Sequence, residues 1–178
     1  MRNALTIDVE EYFQAHAYAK VIDRADWERI PGRVVANVRR LLALLAEHGT
    51  RATFFVLGWV ADRHPEVVRE IAAAGHEVGS HGYAHQLLDR QGPEEFADDL
   101  ARSLAAIGRA LGRPGALLGY RAPGFSLTPG PSGRSTSCAR RASATTRASS
   151  PCSRAGGTAR MARAGSRPGS TPACGSSR

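Results

Sequence analysis

ALTIDVEE, residues 4–11, is a short apolar run that ends in acidic residues. A near-continuous apolar run of this length predicts a buried strand over residues 4–9. Three runs of the same kind follow along the chain: ATFFVL at 52–57, HEVGS at 76–80 and LLGY at 117–120. The chain therefore carries four short predicted strands, and the first two are near-continuously apolar, as in a parallel sheet covered by helices.

Amphipathic helices are predicted between these strands. Apolar residues recur at helical spacing from Val34 to Leu45, and Gly49 follows as a stop signal. A short helix begins at Pro65 and a longer one at Pro93, where Glu94 and Glu95 suit the positive end of the helix dipole. The order β-α-β-α-β-α-β predicts a parallel α/β sheet with right-handed crossovers. An open doubly wound sheet and an α/β barrel both fit this order.

Polar side chains follow three of the predicted strands. Asp8 and Glu10 come at the end of the first strand, His81 and His85 after the third, and Arg121 after the fourth. Ligands gather at the carboxyl ends of parallel strands in both candidate architectures. The sequence therefore predicts a functional site at this edge of the sheet.

His81 and His85 are four residues apart, a spacing that lets two imidazoles reach one metal ion. Two neutral imidazoles and a carboxylate suit Zn²⁺ and leave a position open for water. Asp8 and Glu10 alternate onto one side of the chain, so one could bind the metal while the other accepts a proton from the activated water. The alternatives are two surface histidines and a solvated acidic loop.

Arg121 brings a permanent charge to the end of the fourth strand, and Pro123 fixes the loop that follows. A carboxylate of the site is the natural partner for its guanidinium. The alternative is a surface arginine before a turn.

The composition divides the chain near residue 128. Residues 1–128 carry 15 basic and 16 acidic residues, whereas residues 129–178 carry nine arginines and no acid. The second block holds all three cysteines and no Leu, Ile, Val, Phe, Trp or Tyr, so it cannot build a core and is predicted to be a disordered tail. Because the tail lacks aromatic residues for base stacking, nucleic-acid binding is not favoured.

Neither a membrane span nor a secretory signal is predicted. The chain has no apolar run near the roughly 18 residues that a span requires. A carboxylate at position 8 interrupts the N-terminal apolar stretch, which lacks the length and cleavage site of a signal peptide. We therefore expect a cytoplasmic protein.

Three segments together resemble the polysaccharide deacetylases, the NodB-homology group or carbohydrate esterase family 4. They are TIDVEEYF at residues 6–13, SHGYAH at 80–85 and YRAPGF at 120–125, which look like the first three motifs of that family. The Asp-Val-Glu opening is similar to the branch found with exopolysaccharide gene clusters. The resemblance covers residues 1–128 and implies the N-terminal half of an irregular (β/α) barrel of the glycoside hydrolase/deacetylase type.

The resemblance also implies an activity and a site. The family reaction is metal-dependent hydrolysis of an N-acetyl group from an amino sugar, so the implied partner is an N-acetylated carbohydrate and the implied cofactor a divalent metal, Zn²⁺ above others. His81 and His85 would bind the metal, Asp8 would be the catalytic base, and Arg121 would orient Asp8. The substrate groove would be lined by the other residues of the third motif: Tyr120, Ala122, Pro123 and Phe125.

Two positions depart from the family pattern, and two motifs are missing. Val9 stands where most relatives have a metal-binding aspartate, so Glu10 is the substitute ligand. Gly82 replaces a serine or threonine between the histidines. The Asp/Trp motif and the general-acid histidine expected after Phe125 do not occur. We therefore expect weak or no activity, and the alternative is a degenerate barrel that binds glycan or metal without turnover.

The segment 129–178 is predicted to be the product of a frameshift. With G+C-rich codons, the frame that begins at the last base of codon 133 permits ALDVLREAGFRYDSRVFPV across codons 134–152. That string has a helix, a glycine stop and a strand, which is the αβ unit expected next.

Resequencing the coding DNA across codons 126–136 tests this interpretation. We expect one base to be lost or gained relative to the frame of the first 125 codons. An unshifted frame, with codons that do not permit the alternative string, would mean that the arginine-rich tail is genuine.

Overall fold

The fold is built on a three-stranded parallel sheet. The computed structural model describes residues 4–113 and 119–126. Strands β1 (Thr6–Val9), β2 (Thr53–Val56) and β3 (Glu77–Ser80) pair in that order, with Val9 opposite Val56 and Val56 opposite Ser80. The parallel sheet expected from the sequence is confirmed.

The chain returns to the sheet beside β3. Tyr120 forms a parallel bridge with Ser80, and the Arg121 amide donates to the Ser80 carbonyl over 2.9 Å. This contact lies where the fourth strand is predicted. Residues 117 and 118 of that prediction, and the whole predicted tail at 129–178, lie outside the described residues.

Within residues 4–113 and 119–126, four helices connect and cover the strands. They are α1 (Val34–Glu47), α2 (Gly58–Arg63), α3 (Pro65–Ala73) and α4 (Pro93–Leu111). Short 3₁₀ turns occupy five connecting segments: Tyr12–Gln14, His16–Tyr18, Arg24–Asp26, Leu88–Arg90 and Pro123–Phe125. Helix α2 is not among the predicted elements, because six residues beginning with glycine are too few to show a helical period.

No helix in the described part of the chain has the length and apolar character needed to cross a membrane.

The main core lies between the sheet and the helices. Phe54 and Val56 of β2 are completely buried, as expected for the central strand of a covered parallel sheet. They pack in one cluster with side chains from every helix, including Val38, Val60 and Ile107. The core therefore fixes the strands, and the strands fix the residues that follow them.

Glu11 ties the segment after β1 to the start of α1. Its side chain is 2% exposed, and its carboxylate accepts the amides of Arg33 at 2.8 Å and Val34 at 3.1 Å. Arg33 occupies the capping position of α1 but makes no capping hydrogen bond through its side chain. Glu11 therefore satisfies two of the free amides at the start of α1, and its charge suits the helix dipole.

Replacing this carboxylate should destabilise the fold measurably. Glu11→Ala is expected to lower the free energy of unfolding by about 2 kcal/mol, because hydrogen bonds to charged groups contribute roughly 1.5–3 kcal/mol. Urea unfolding followed by circular dichroism measures the change. Glu47→Ala, at the exposed end of the same helix, is the control and should change stability by less than about 0.5 kcal/mol. Equal effects of the two substitutions would contradict the capping role.

Candidate metal centre

Three side chains from two strand ends meet above the sheet. Glu10 follows β1, and His81 and His85 follow β3. One ligand atom from each lies within 4.8 Å of the others. The Glu10 Oε2 atom is 2.9 Å from Nε2 of His85 and 3.9 Å from Nε2 of His81. The parallel register therefore brings together residues that are more than 70 positions apart.

The ring of His81 is held in one orientation. Its Nδ1 atom lies 2.9 Å from the main-chain carbonyl of Arg121, which can only accept a hydrogen bond. The proton is therefore on Nδ1, and the lone pair of Nε2 faces Glu10. Burial lowers the pKa of His81, against the opposing effect of Asp8. The neutral, oriented imidazole is the form that ligates a metal ion.

His85 is positioned differently. Its backbone has φ of +50°, a left-handed conformation that is strained for a residue with a side chain. Such strain costs about 1–3 kcal/mol and persists only where neighbouring contacts enforce it. Within the described residues, neither ring nitrogen of His85 has a hydrogen bond of the kind that holds His81. The ring of His85 instead faces Glu10, with Nε2 2.9 Å from Oε2, and the loop sets the position of its backbone.

The donor set fits a divalent cation. Oε2 of Glu10 is buried and makes no well-aligned hydrogen bond among the described residues, although Nε2 of His85 lies 2.9 Å away; an unsatisfied carboxylate oxygen is costly. Two imidazoles and one carboxylate form a familiar zinc ligand set with room for water. A cation shared by the three side chains would satisfy the unpaired oxygen.

Asp8 and Arg121 form an ion pair beside this centre. Nη1 of Arg121 donates to Oδ1 of Asp8 over 2.8 Å, and Nη2 donates to the hydroxyl of Thr6. The guanidinium lies over the ring of Phe55 at 4.3 Å, which adds a cation–π contact. With one oxygen of Asp8 occupied by Arg121, Oδ2 lies 3.9 Å from Nε2 of His81.

The remaining residues of the third motif occupy different environments. Tyr120 packs edge-on against Phe96 at 5.3 Å, and burial raises the pKa of its phenol. Ala122 is buried in the same small cluster, and Pro123 is also buried. Phe125 is 87% exposed. The structure thus places one of these four side chains, Phe125, fully at the surface.

A cavity of about 340 Å³ adjoins the centre on the side of His85. Its walls come mainly from the segment after β1, including Phe13 and Trp27, and from residues next to His85. Trp27 is buried and packs edge-on against Trp59 at 5.9 Å. The cavity therefore has a rigid aromatic wall next to one of the proposed ligands.

Sequence reasoning missed two residues that hold the site. Thr6 contacts Arg121, and Asp99 of α4 accepts the main-chain amides of Tyr83 and Ala84 at 2.7 and 3.2 Å. Thr6 stands inside the first motif, so alternation along β1 could have placed it on the side of Asp8. Asp99 carries no local signal, because its partners are backbone atoms 15 and 16 residues away.

Known proteins resemble this chain in sequence. A peptidoglycan-N-acetylglucosamine deacetylase of Bacillus cereus is 33% identical over 73 residues, which cover 41% of this chain and 26% of that protein. A chitooligosaccharide deacetylase of Bradyrhizobium is 39% identical over 67 residues, which cover 38% of this chain and 31% of that protein. The chain thus spans less than a third of the length of either relative.

A solved structure shares the fold. A family 4 carbohydrate esterase from Streptomyces lividans, determined in complex with acetate, superposes with a TM-score of 0.57 at 22% identity. The match covers 80% of this chain and 57% of that one. The expected partial (β/α) barrel is confirmed by this likeness and by the parallel sheet.

The family model described as polysaccharide deacetylase matches residues 26–130, more than half of the chain. The second and third motifs both fall inside this match. The family expected from the motifs is therefore confirmed, and the chain belongs to the polysaccharide deacetylases.

Proposed function

We propose that this chain is a metal-dependent carbohydrate N-deacetylase, which hydrolyses the acetamido group of an amino sugar to acetate and a free amine. The observation that carries the proposal is the placement of Oδ2 of Asp8 beside the cluster of Glu10, His81 and His85. A carboxylate next to a divalent-cation site is a hydrolytic arrangement.

Glu10, His81 and His85 would hold the metal ion, and zinc is the proposed ion because of its preference for imidazole ligands. With neutral histidines, Asp8, Glu10 and Arg121 give the site a net charge of −1. This negative charge favours a cation, and the site would carry a net charge of +1 with a divalent ion bound. When bound, the ion would supply Lewis acidity toward water and the acetyl carbonyl.

Asp8 is the proposed general base. Arg121 occupies Oδ1, so Oδ2 accepts the proton of the attacking water while the water oxygen bonds to the acetyl carbon. Collapse of the tetrahedral species breaks the carbon–nitrogen bond, releases acetate and requires a proton on the leaving nitrogen. The guanidinium of Arg121 keeps the carboxyl group of Asp8 oriented through this cycle.

The cavity beside His85 is the proposed place for the sugar unit next to the acetylated one. Its volume falls in the range of small-molecule sites, and the exposed polar side chains of His16, Asp23 and Arg24 line it and can donate to or accept from sugar hydroxyls. The two sequence relatives are described as a peptidoglycan-N-acetylglucosamine deacetylase and a chitooligosaccharide deacetylase. We infer an N-acetylated glycan as substrate.

We propose that residues 1–128 form the deacetylase portion and that residues 129–178 are out-of-frame translation. The family match ends at residue 130, next to the change in composition. We also propose slow turnover, since no residue of the described part is assigned as acid for the leaving amine. Proton transfer by a placed side chain contributes about 10²–10⁴-fold to rate.

Zinc titration tests the metal ligands. We expect the purified chain to bind one Zn²⁺, measured by competition with a chromophoric chelator. Because each ligand completes the set, His85→Ala and Glu10→Gln should each weaken binding by roughly 100-fold or more, beyond what outer-shell changes cause. His48→Ala removes an exposed histidine and should leave affinity unchanged. Equal losses in all three variants would contradict the assignment.

Acetate release from chitotetraose tests the reaction. We expect slow release by the zinc-loaded chain and loss of that release in Asp8→Asn, which removes the base but preserves shape. Zinc affinity should change by less than tenfold in Asp8→Asn, because Asp8 is not a proposed ligand. Asp98→Asn, at an exposed position of α4 away from the cavity, is the control and should match the wild type.

Two outcomes would overturn the proposed reaction. Equal acetate release by the wild type and Asp8→Asn would remove Asp8 from the chemistry. Tight binding of zinc and chitotetraose with no acetate would favour a barrel that binds without turnover.

A further inference from the structure

We propose that Asp99 of α4 is a positioning residue for the metal site, acting through the main chain between the two histidine ligands. The inference rests on the proposed metal site and identifies what sets the distance between its imidazoles. It depends on the strained backbone of His85, on the hydrogen bonds from α4 to the His81–His85 loop, and on the absence of a side chain at Gly82.

The loop needs an external constraint. Gly82 has φ of +80° and His85 has φ of +50°, so two of its five residues are left-handed. A free loop would relax the strain at His85 and move the imidazole away from Glu10. The contacts of the loop to the rest of the protein must therefore keep His85 in place.

Asp99 supplies the central constraint. Its Oδ2 accepts the amide of Tyr83 at 2.7 Å, and its Oδ1 accepts the amide of Ala84 at 3.2 Å. Because each oxygen of the carboxylate accepts one of two consecutive amides, it fixes the orientation of the main chain at Tyr83 and Ala84. His85 is the next residue along the chain, so these two hydrogen bonds also set the position of its Cα atom and the direction in which its side chain leaves the main chain.

A second contact from the same helix fixes the other end of the loop. Ser103 lies one turn after Asp99 and contacts the hydroxyl of Ser80 at 2.8 Å. The same hydroxyl accepts the amide of Gly82 at 3.1 Å. Helix α4 therefore fixes the loop at two places. Ser103 acts through Ser80 near Gly82, and Asp99 binds the amides nearer to His85.

Gly82 makes room for this carboxylate. A Cβ atom on residue 82 would lie 2.8 Å from Oδ2 of Asp99, closer than packed atoms approach. The resemblance to the family places a serine or threonine at this position. The contact of Asp99 with the loop therefore depends on glycine at position 82, because a side chain there would occupy the space that the carboxylate needs to reach the main-chain amides.

Metal binding by Asp99 variants tests the proposal. We expect Asp99→Ala to weaken Zn²⁺ affinity by roughly 10- to 100-fold, the usual effect of losing an outer-shell partner. The visible absorption of the Co²⁺-loaded chain should change in intensity, because the imidazole geometry changes. Asp99→Asn keeps an acceptor for one amide, so its affinity for Zn²⁺ should lie between the affinities of the wild type and Asp99→Ala.

Asp98→Ala is the matched control, since Asp98 is the exposed neighbour on the same helix. Its zinc affinity and Co²⁺ spectrum should equal those of the wild type. Circular dichroism checks that each variant is folded, and Asp99→Asn decides the matter if Asp99→Ala does not fold.

The outcomes separate this inference from the proposed function. If the wild type binds neither Zn²⁺ nor Co²⁺, the proposed metal site fails. If the wild type binds zinc and the folded Asp99 variants bind within twofold of it, with an unchanged Co²⁺ spectrum, Asp99 has no positioning role. An equal loss in Asp98→Ala would also overturn the proposal.

Discussion

The parallel register of the sheet is the constraint on which the rest of the site depends. Val9, Val56 and Ser80 lie side by side in the three strands, so the chain segments that follow them leave the sheet at one edge. Glu10 and His81 are the first residues beyond that row on β1 and β3. A slip of one residue in either pairing would turn the alternating side chains to the other face and separate the proposed ligands.

Elements with a strong local signal could be predicted from the sequence, and elements defined by distant contacts could not. The strand at residues 52–57 and the helix beginning at Pro65 follow from apolar runs and stop residues, and the structure has both. Helix α2 has too few residues to show a period. The contact of Glu11 with the amides of α1 joins residues 22 and 23 positions apart, and no local pattern encodes it.

The site shows the same division. The ends of the predicted strands indicated Asp8, Glu10, His81 and His85, because parallel topology requires that such ends meet. The sequence did not show that Tyr120 packs against Phe96, because burial of an aromatic residue depends on how α4 lies against the chain. For the same reason Asp99 could not be found: its partners are main-chain amides, which have no signature in the sequence.

Residue 121 serves the site with two chemically independent groups. Its carbonyl fixes the ring of His81, and its guanidinium fixes the carboxylate of Asp8. The carbonyl is present whatever side chain stands there, whereas the guanidinium is specific to arginine. A single substitution at this position can therefore separate the proposed metal binding from the proposed proton abstraction. A chain without the arginine would still hold the imidazole of His81 in its orientation, and the proposed metal ligands would remain while the proposed base lost its partner.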